Sequence, residues 1–104
     1  MKNKYSAGAN FERRLFKVLE REGAYVIRSA GSKGAIDIVA LFDGAVGCYQ
    51  CQLDLPFPPA KREALIDAIR NKLYCQGFLV WRGDKKQIMM EQIFEENETK
   101  ANIR

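Results

Sequence analysis

Apolar residues at helical spacing open the chain. Phe11, Leu15, Val18 and Leu19 fall on one side of a 3.6-residue repeat, which predicts a helix that Asn10 would cap and Gly23 would end. Residues 1 to 9, with Lys2, Lys4, Tyr5 and Gly8, are small and polar and read as a loose basic arm. The pattern then changes to β-branched and aromatic residues. Ala24 to Ile27 predicts a first strand, stopped by the turn-rich run from Ser29 to Gly34. Ile36 to Phe42 predicts a second strand, Asp43-Gly44 a hairpin turn, and Val46 to Leu53 a third strand.

Leu55-Pro56-Phe57-Pro58-Pro59 cannot continue a sheet, because proline removes a backbone donor and fixes φ, so this stretch is a stiff connector. Beyond it Ala64, Leu65, Ala68, Ile69, Lys72 and Leu73 trace the stripe of a second helix, with Gly77 as its stop. Phe78 to Trp81 and Gln87 to Phe94, separated by a Gly83-Asp84 turn, predict two further strands. Residues 95 to 104 are acidic, lack a core pattern and read as a frayed tail. The order α-β-β-β-α-β-β predicts an α/β fold in a single domain, 1–104: a mixed five-stranded sheet flanked by helices.

Composition narrows the chemistry. A domain of 104 residues is too small to enclose a large substrate, so such a substrate must lie across its surface or across a dimer. The 17 Lys+Arg against 13 Asp+Glu leave a net charge of +4, which favours polyanionic partners. No run reaches the ~20 apolar residues of a membrane span, and the N-terminus lacks a signal-peptide core. The expectation is therefore an intracellular, cytoplasmic protein without a membrane partner. The chain has no histidine, which excludes a histidine-based triad and a histidine-ligated zinc. Cys48, Cys51 and Cys75 are odd in number and lack paired zinc spacing. Cys48 and Cys51, three apart in a strand, point to opposite faces, unlike a redox pair at a helix N-terminus. Carboxylates, amides, lysines and hydroxyls remain.

Asp37 stands out among these, because an acid between Ile36 and Ile38 is costly to bury unless it is paired or binds a cation. The competing reading is an acid that caps the Gly34 loop or pairs with Arg28. Alternation places Gln50 and Gln52 on one face of the third strand with Cys48. That face is either a polar cluster beside Asp37 or an outward surface in water. Glu12 either approaches the same place or is a favourable acid in the first helical turn.

Four stretches carry a resemblance: Gly8 to Arg14 (G-A-N-F-E-R-R), Val26 to Ser32 (V-I-R-S-A-G-S), Ile36 to Ala40 (I-D-I-V-A) and Tyr49 to Gln52 (Y-Q-C-Q). Together they resemble the archaeal-type Holliday junction resolvases of the PD-(D/E)XK nuclease superfamily, which also occur in viruses and phages. The match is detailed in the first half and extends to element order in the second. The resemblance implies a restriction-endonuclease-like domain that cuts four-way DNA junctions with Mg²⁺, or Mn²⁺ in its place, as a homodimer and without an organic cofactor. A phage or viral origin is compatible with it. By position, Glu12 matches the family's helix-one acid, Asp37 its main metal-binding aspartate, and Ser32 its loop serine near the scissile phosphate. Arg13 and Arg28 match its DNA-contacting arginines. Lys4, Arg14 and Lys33 add positive charge nearby. Asp37, Glu12, Gln50 and the Cys51 carbonyl would hold the metal.

Two positions depart from the family. Gln50 stands where the family has glutamate, and Gln52 where it has the lysine of E-x-K. Gln50 keeps an oxygen ligand but loses a charge, and Gln52 removes the cation at the attacking water. Three explanations stay open: a natural variant that still cuts, a junction-binding protein that has lost cleavage, and an engineered inactive form. A small basic domain that binds protein or RNA is a weaker alternative. Asp54 shares a face with Gln52 and is a candidate for the missing carboxylate. Tyr74, Phe78 and Trp81 are candidates for a dimer surface, with Phe78 read as core.

Overall fold

Two tight connections and one long crossover decide how the strands pair. The computed structural model describes residues 4–29 and 34–94, with side chains from Ser6 onward. Its elements are α1 (Lys4–Arg21), β1 (Tyr25–Arg28), β2 (Ile38–Phe42), β3 (Ala45–Gln52), α2 (Pro59–Ile69), β4 (Cys75–Arg82) and β5 (Ile88–Ile93). Asp43-Gly44 joins β2 to β3 as an antiparallel hairpin, with the positive φ of 78° taken by Gly44. The crossover through α2 makes β3 and β4 parallel, as a connection of that length allows. The resulting mixed sheet has the strand order β1-β2-β3-β4-β5, and the elements follow one another along the chain in the predicted order α-β-β-β-α-β-β.

One helix covers each face. Phe11, Leu15 and Leu19 of α1 pack on Val26, Ile38, Ala40, Tyr49, Cys51 and Val80. Leu65 and Ile69 of α2 pack on Cys48, Leu79 and Ile93. Alternation along β3 thus sends Tyr49 and Cys51 to one core and Cys48 to the other. Burial pushes the Cys48 thiol up to about 11 and the Cys51 thiol higher still, so neither is a reactive thiolate.

Helix ends differ from the sequence expectation. α1 starts at Lys4, so the stretch from Lys4 to Ala9 is helical rather than a loose arm, and Asn10 is not a cap. Ala7 and Ala9 sustain the helix, and Gly8 costs only about 1 kcal/mol. Asn10 instead accepts a hydrogen bond from Arg13 Nη1 at 3.2 Å. α2 stops at Ile69, well before Gly77, because Asn71 turns left-handed with φ 63°. Leu73, read as part of the stripe, is 89% exposed. Gly77 lies inside β4, where an added Cβ would come within 2.8 Å of Ile69 Cδ1 and 3.1 Å of Ile93 Cγ1. Tyr74, Phe78 and Trp81 differ in their surroundings. Phe78 stacks on Tyr49 with ring centroids 5.0 Å apart, Tyr74 is exposed, and Trp81 is half-buried three residues along the strand from Phe78. The tail from 95 to 104 lies outside the described residues.

Candidate active site

The open end of the sheet, where β3 runs out and β2 enters, collects side chains from both helices. A pocket of about 370 Å³ there is lined by Glu12 of α1, Ala35 and Asp37 before β2, Gln50 and Cys51 of β3, and Lys61 of α2. The β3-α2-β4 crossover necessarily returns the first turn of α2 beside the C-terminal end of β3.

Asp37 precedes β2 by one residue yet continues its ladder. Its N–H donates to the Tyr49 carbonyl at 2.8 Å, and its carbonyl accepts from the Ser29 N–H at 2.8 Å. Held so, it is 4% exposed, and its Oδ2 accepts the Cys51 N–H at 2.8 Å. Burial raises its pKa above the ordinary value. The Cys51 hydrogen bond and the charges of Lys61 and Arg28 only partly oppose this. Glu12 is raised as well, first by burial and then by the neighbouring Asp37, against the charge and hydrogen bond of Arg28 and the charge of Lys61. Arg28 Nε donates to Glu12 Oε1 at 3.0 Å. The arginine is therefore the partner of Glu12 and not of Asp37. Glu12 lies well inside α1, which also removes its reading as a first-turn acid.

Gln50 is 4% exposed, so it is no water-facing surface residue, and its Nε2 donates to the Ala35 carbonyl at 2.8 Å. That bond leaves the amide oxygen as an acceptor. Gln52 lines an adjoining pocket, and its Oε1 accepts from Lys61 Nζ at 2.7 Å. Asp54 does not supply a missing carboxylate, because it is exposed and paired with Arg82 Nη2 at 3.3 Å. Arg13 and Arg14 lie exposed on α1, with the Arg14 guanidinium 5.9 Å from the Phe11 ring centroid. Ser32, Lys33 and the side chain of Lys4 lie outside the described residues. Lys61 is the charged residue of the pocket that sequence reasoning did not assign to the site. One signal marked it: a lysine in the first turn of a helix, where acids are favoured.

Two nearby carboxylates with raised pKa form an arrangement that a cation relieves. A strand residue projects its N–H and C=O to the same edge, so the Cys51 carbonyl faces Asp37 as its N–H does. Carboxylates, an amide oxygen and a carbonyl are hard oxygen donors and fit Mg²⁺ or Mn²⁺ rather than a soft metal. Among the described residues, no group of three or more His, Cys, Asp or Glu is placed to hold a metal ion, so a cation here would rest on two carboxylates completed by neutral oxygens.

The raised values carry a sign for stability. Between the ordinary values, 3.8 for Asp and 4.5 for Glu, and the higher folded ones, the native state binds more protons than the unfolded chain. Stability from these groups is therefore full below that window and declines as pH rises through it. In EDTA, a Glu12→Gln, Asp37→Asn double variant is expected to gain thermal stability over the parent as pH rises from the ordinary carboxylate range toward neutrality. A constant difference in Tm across that range would contradict it.

The family described as archaeal Holliday junction resolvase (hjc) matches residues 3–55. The chain belongs to this family. A relative, the crossover junction endodeoxyribonuclease Hjc of Methanocaldococcus jannaschii, is 50% identical over 52 residues, which are 50% of this chain and 38% of that protein. The chain thus spans about two fifths of the curated relative it matches. Among solved structures, Archaeoglobus fulgidus Hjc, a Holliday junction resolvase from an archaeal hyperthermophile, superposes with a TM-score of 0.68. That alignment covers 80% of this chain and 73% of the other at 22% identity, so it shows a shared fold. The Hjc family match takes in Glu12, Arg28, Asp37, Gln50 and Gln52 and ends before α2. Lys61 therefore enters the pocket from a segment beyond the residues 3–55 of the family match. No helix among the described residues is long and apolar enough to cross a membrane.

Proposed function

We propose that the protein is a divalent-metal-dependent endonuclease that resolves four-way DNA junctions. The observation that carries this reading is Asp37, a carboxylate buried beside Glu12 at the mouth of a pocket on a family-matched strand pair. Asp37, Glu12, the Gln50 amide oxygen and the Cys51 carbonyl would hold Mg²⁺, or Mn²⁺ as a substitute. When bound, the cation supplies charge neutralisation at the phosphate and a more acidic water. The protein's own groups do the rest. Asp37 is fixed by the Cys51 N–H, Glu12 is oriented by Arg28, and the two helices close the site from either face.

Incubating the protein in excess with a labelled four-way junction and Mg²⁺ or Mn²⁺ should nick the junction and leave a linear duplex of the same sequence intact. Intact junction strands would defeat the cleavage claim. A non-catalytic junction-binding dimer is the second reading, favoured by the low charge that Gln50 leaves in the donor set. It predicts tight junction binding without cleavage, unaffected by Asp37→Ala. A homodimer suits either reading, because a four-way junction presents symmetry-related strands to a two-fold pair.

Arg13 and Arg14 sit on the same helix as Glu12 and are exposed, which suits contact with phosphates flanking the site. An Arg13→Ala, Arg14→Ala double variant is expected to bind junction about tenfold more weakly, with the slope of log K against log salt reduced by about 2. An unchanged salt slope would show that this face does not meet DNA.

A further inference from the structure

We propose that Lys61, delivered from α2, is the catalytic cation of this site and replaces the lysine that strand position 52 lacks. The proposal rests on the nuclease reading above and assigns a residue that the family match does not contain. Lys61 lines the same pocket as Glu12, Asp37, Gln50 and Cys51. Its charge acts on both carboxylates, favouring their ionised forms. Its Nζ lies 2.7 Å from Gln52 Oε1, so the amide at position 52 tethers an ammonium where a lysine at 52 would otherwise bring its own. Among the described residues lining the pocket it is the one cation, while Arg28 reaches Glu12 from outside that lining.

The local sequence supports a placed lysine. Pro58 and Pro59 fix the start of α2, and the first turn carries no acid. A cation there opposes the helix dipole, whose positive end is at the N-terminus. The position is unfavourable for an isolated helix and becomes favourable when the ammonium shares a pocket with the buried Asp37 and the part-buried Glu12 and meets an amide oxygen. Gln52 is then more than the loss of a lysine. A second lysine at 52 would crowd Lys61 with a like charge, whereas glutamine offers it an acceptor.

Hydrolysis of a phosphodiester forms a bond from water oxygen to phosphorus and breaks the bond from phosphorus to the leaving sugar oxygen. One proton of the attacking water passes to solvent, and the leaving oxygen takes one from solvent. Lys61 stays protonated throughout. It donates a hydrogen bond that orients the attacking water and sets positive charge beside the phosphate oxygens as they gain negative charge.

The test compares the parent, Lys61→Met, Lys61→Arg and a Gln52→Lys, Lys61→Met double variant. Single-turnover cleavage of a labelled junction is read beside junction affinity in EDTA and Tm. Lys61→Met should cleave about 10²–10³-fold more slowly with affinity within about threefold. Lys61→Arg should retain part of the rate, and the double variant should recover most of it by returning the lysine to the strand. Cleavage by Lys61→Met within threefold of the parent would overturn the assignment while leaving the nuclease reading intact. A rate loss matched by an equal loss of affinity, or no recovery in the double variant, would overturn it too. A parent that leaves the junction intact would remove the nuclease reading and Lys61 with it.

Discussion

Replacing Asp37 by alanine is expected to lower the single-turnover rate of junction cleavage by at least about 10³-fold while changing junction affinity by no more than a few-fold. The asymmetry follows from position. Asp37 is 4% exposed within the pocket lining, so it adds nothing to the basic surface that attracts phosphates. It is also the sole acceptor of the Cys51 N–H among the described side chains, and its loss frees the strand edge that orients the Cys51 carbonyl. A gel-shift titration beside the cleavage time course separates the two effects. Equal losses of binding and cleavage would mean that Asp37 shapes the DNA surface rather than the reaction.

The second large effect belongs to position 50. Gln50→Glu should raise divalent-cation affinity by roughly tenfold, the lower end of what a ligand-shell change does, and raise cleavage at limiting Mg²⁺ accordingly. It should also destabilise the metal-free protein. The Gln50 Nε2 donates to the Ala35 carbonyl at 2.8 Å, and a glutamate would face that carbonyl with an acceptor, inside a site that already holds the buried Asp37 and the part-buried Glu12. The expected cost is about 1–3 kcal/mol, recovered when the cation binds. Urea unfolding with and without Mn²⁺ measures both halves. A variant equally stable in EDTA, or no tighter for Mn²⁺, would mean that the amide oxygen is not directed at a cation.

These effects explain which parts of the molecule the sequence made legible. The order of elements was readable because the apolar period changes at Ala24 and again after the prolines, and tertiary packing follows those changes. Alternation likewise placed Asp37 and Gln50 together, since adjacent strands in register bring such positions side by side. Helix ends were less legible. Lys72 and Leu73 keep helical spacing, yet the chain turns at Asn71, and spacing alone carries no information about φ. Lys61 was hidden for a different reason. Its neighbours in the site lie in the first half of the chain, and only the β3-α2-β4 crossover brings them together. Asp54, near in sequence to Gln52, was drawn away because Arg82 on the neighbouring strand offers an exposed partner.

A divalent cation is the proposed reason that Asp37 stays in an unfavourable place. The most direct test is the Tm of the parent and of Asp37→Asn in EDTA and in saturating Mn²⁺. The asparagine retains an oxygen for the Cys51 N–H and sheds the buried charge, so in EDTA this variant should melt several degrees above the parent. Mn²⁺ should then raise the parent and leave Asp37→Asn where it was. A parent indifferent to Mn²⁺, or an Asp37→Asn variant that melts below it in EDTA, would contradict the account.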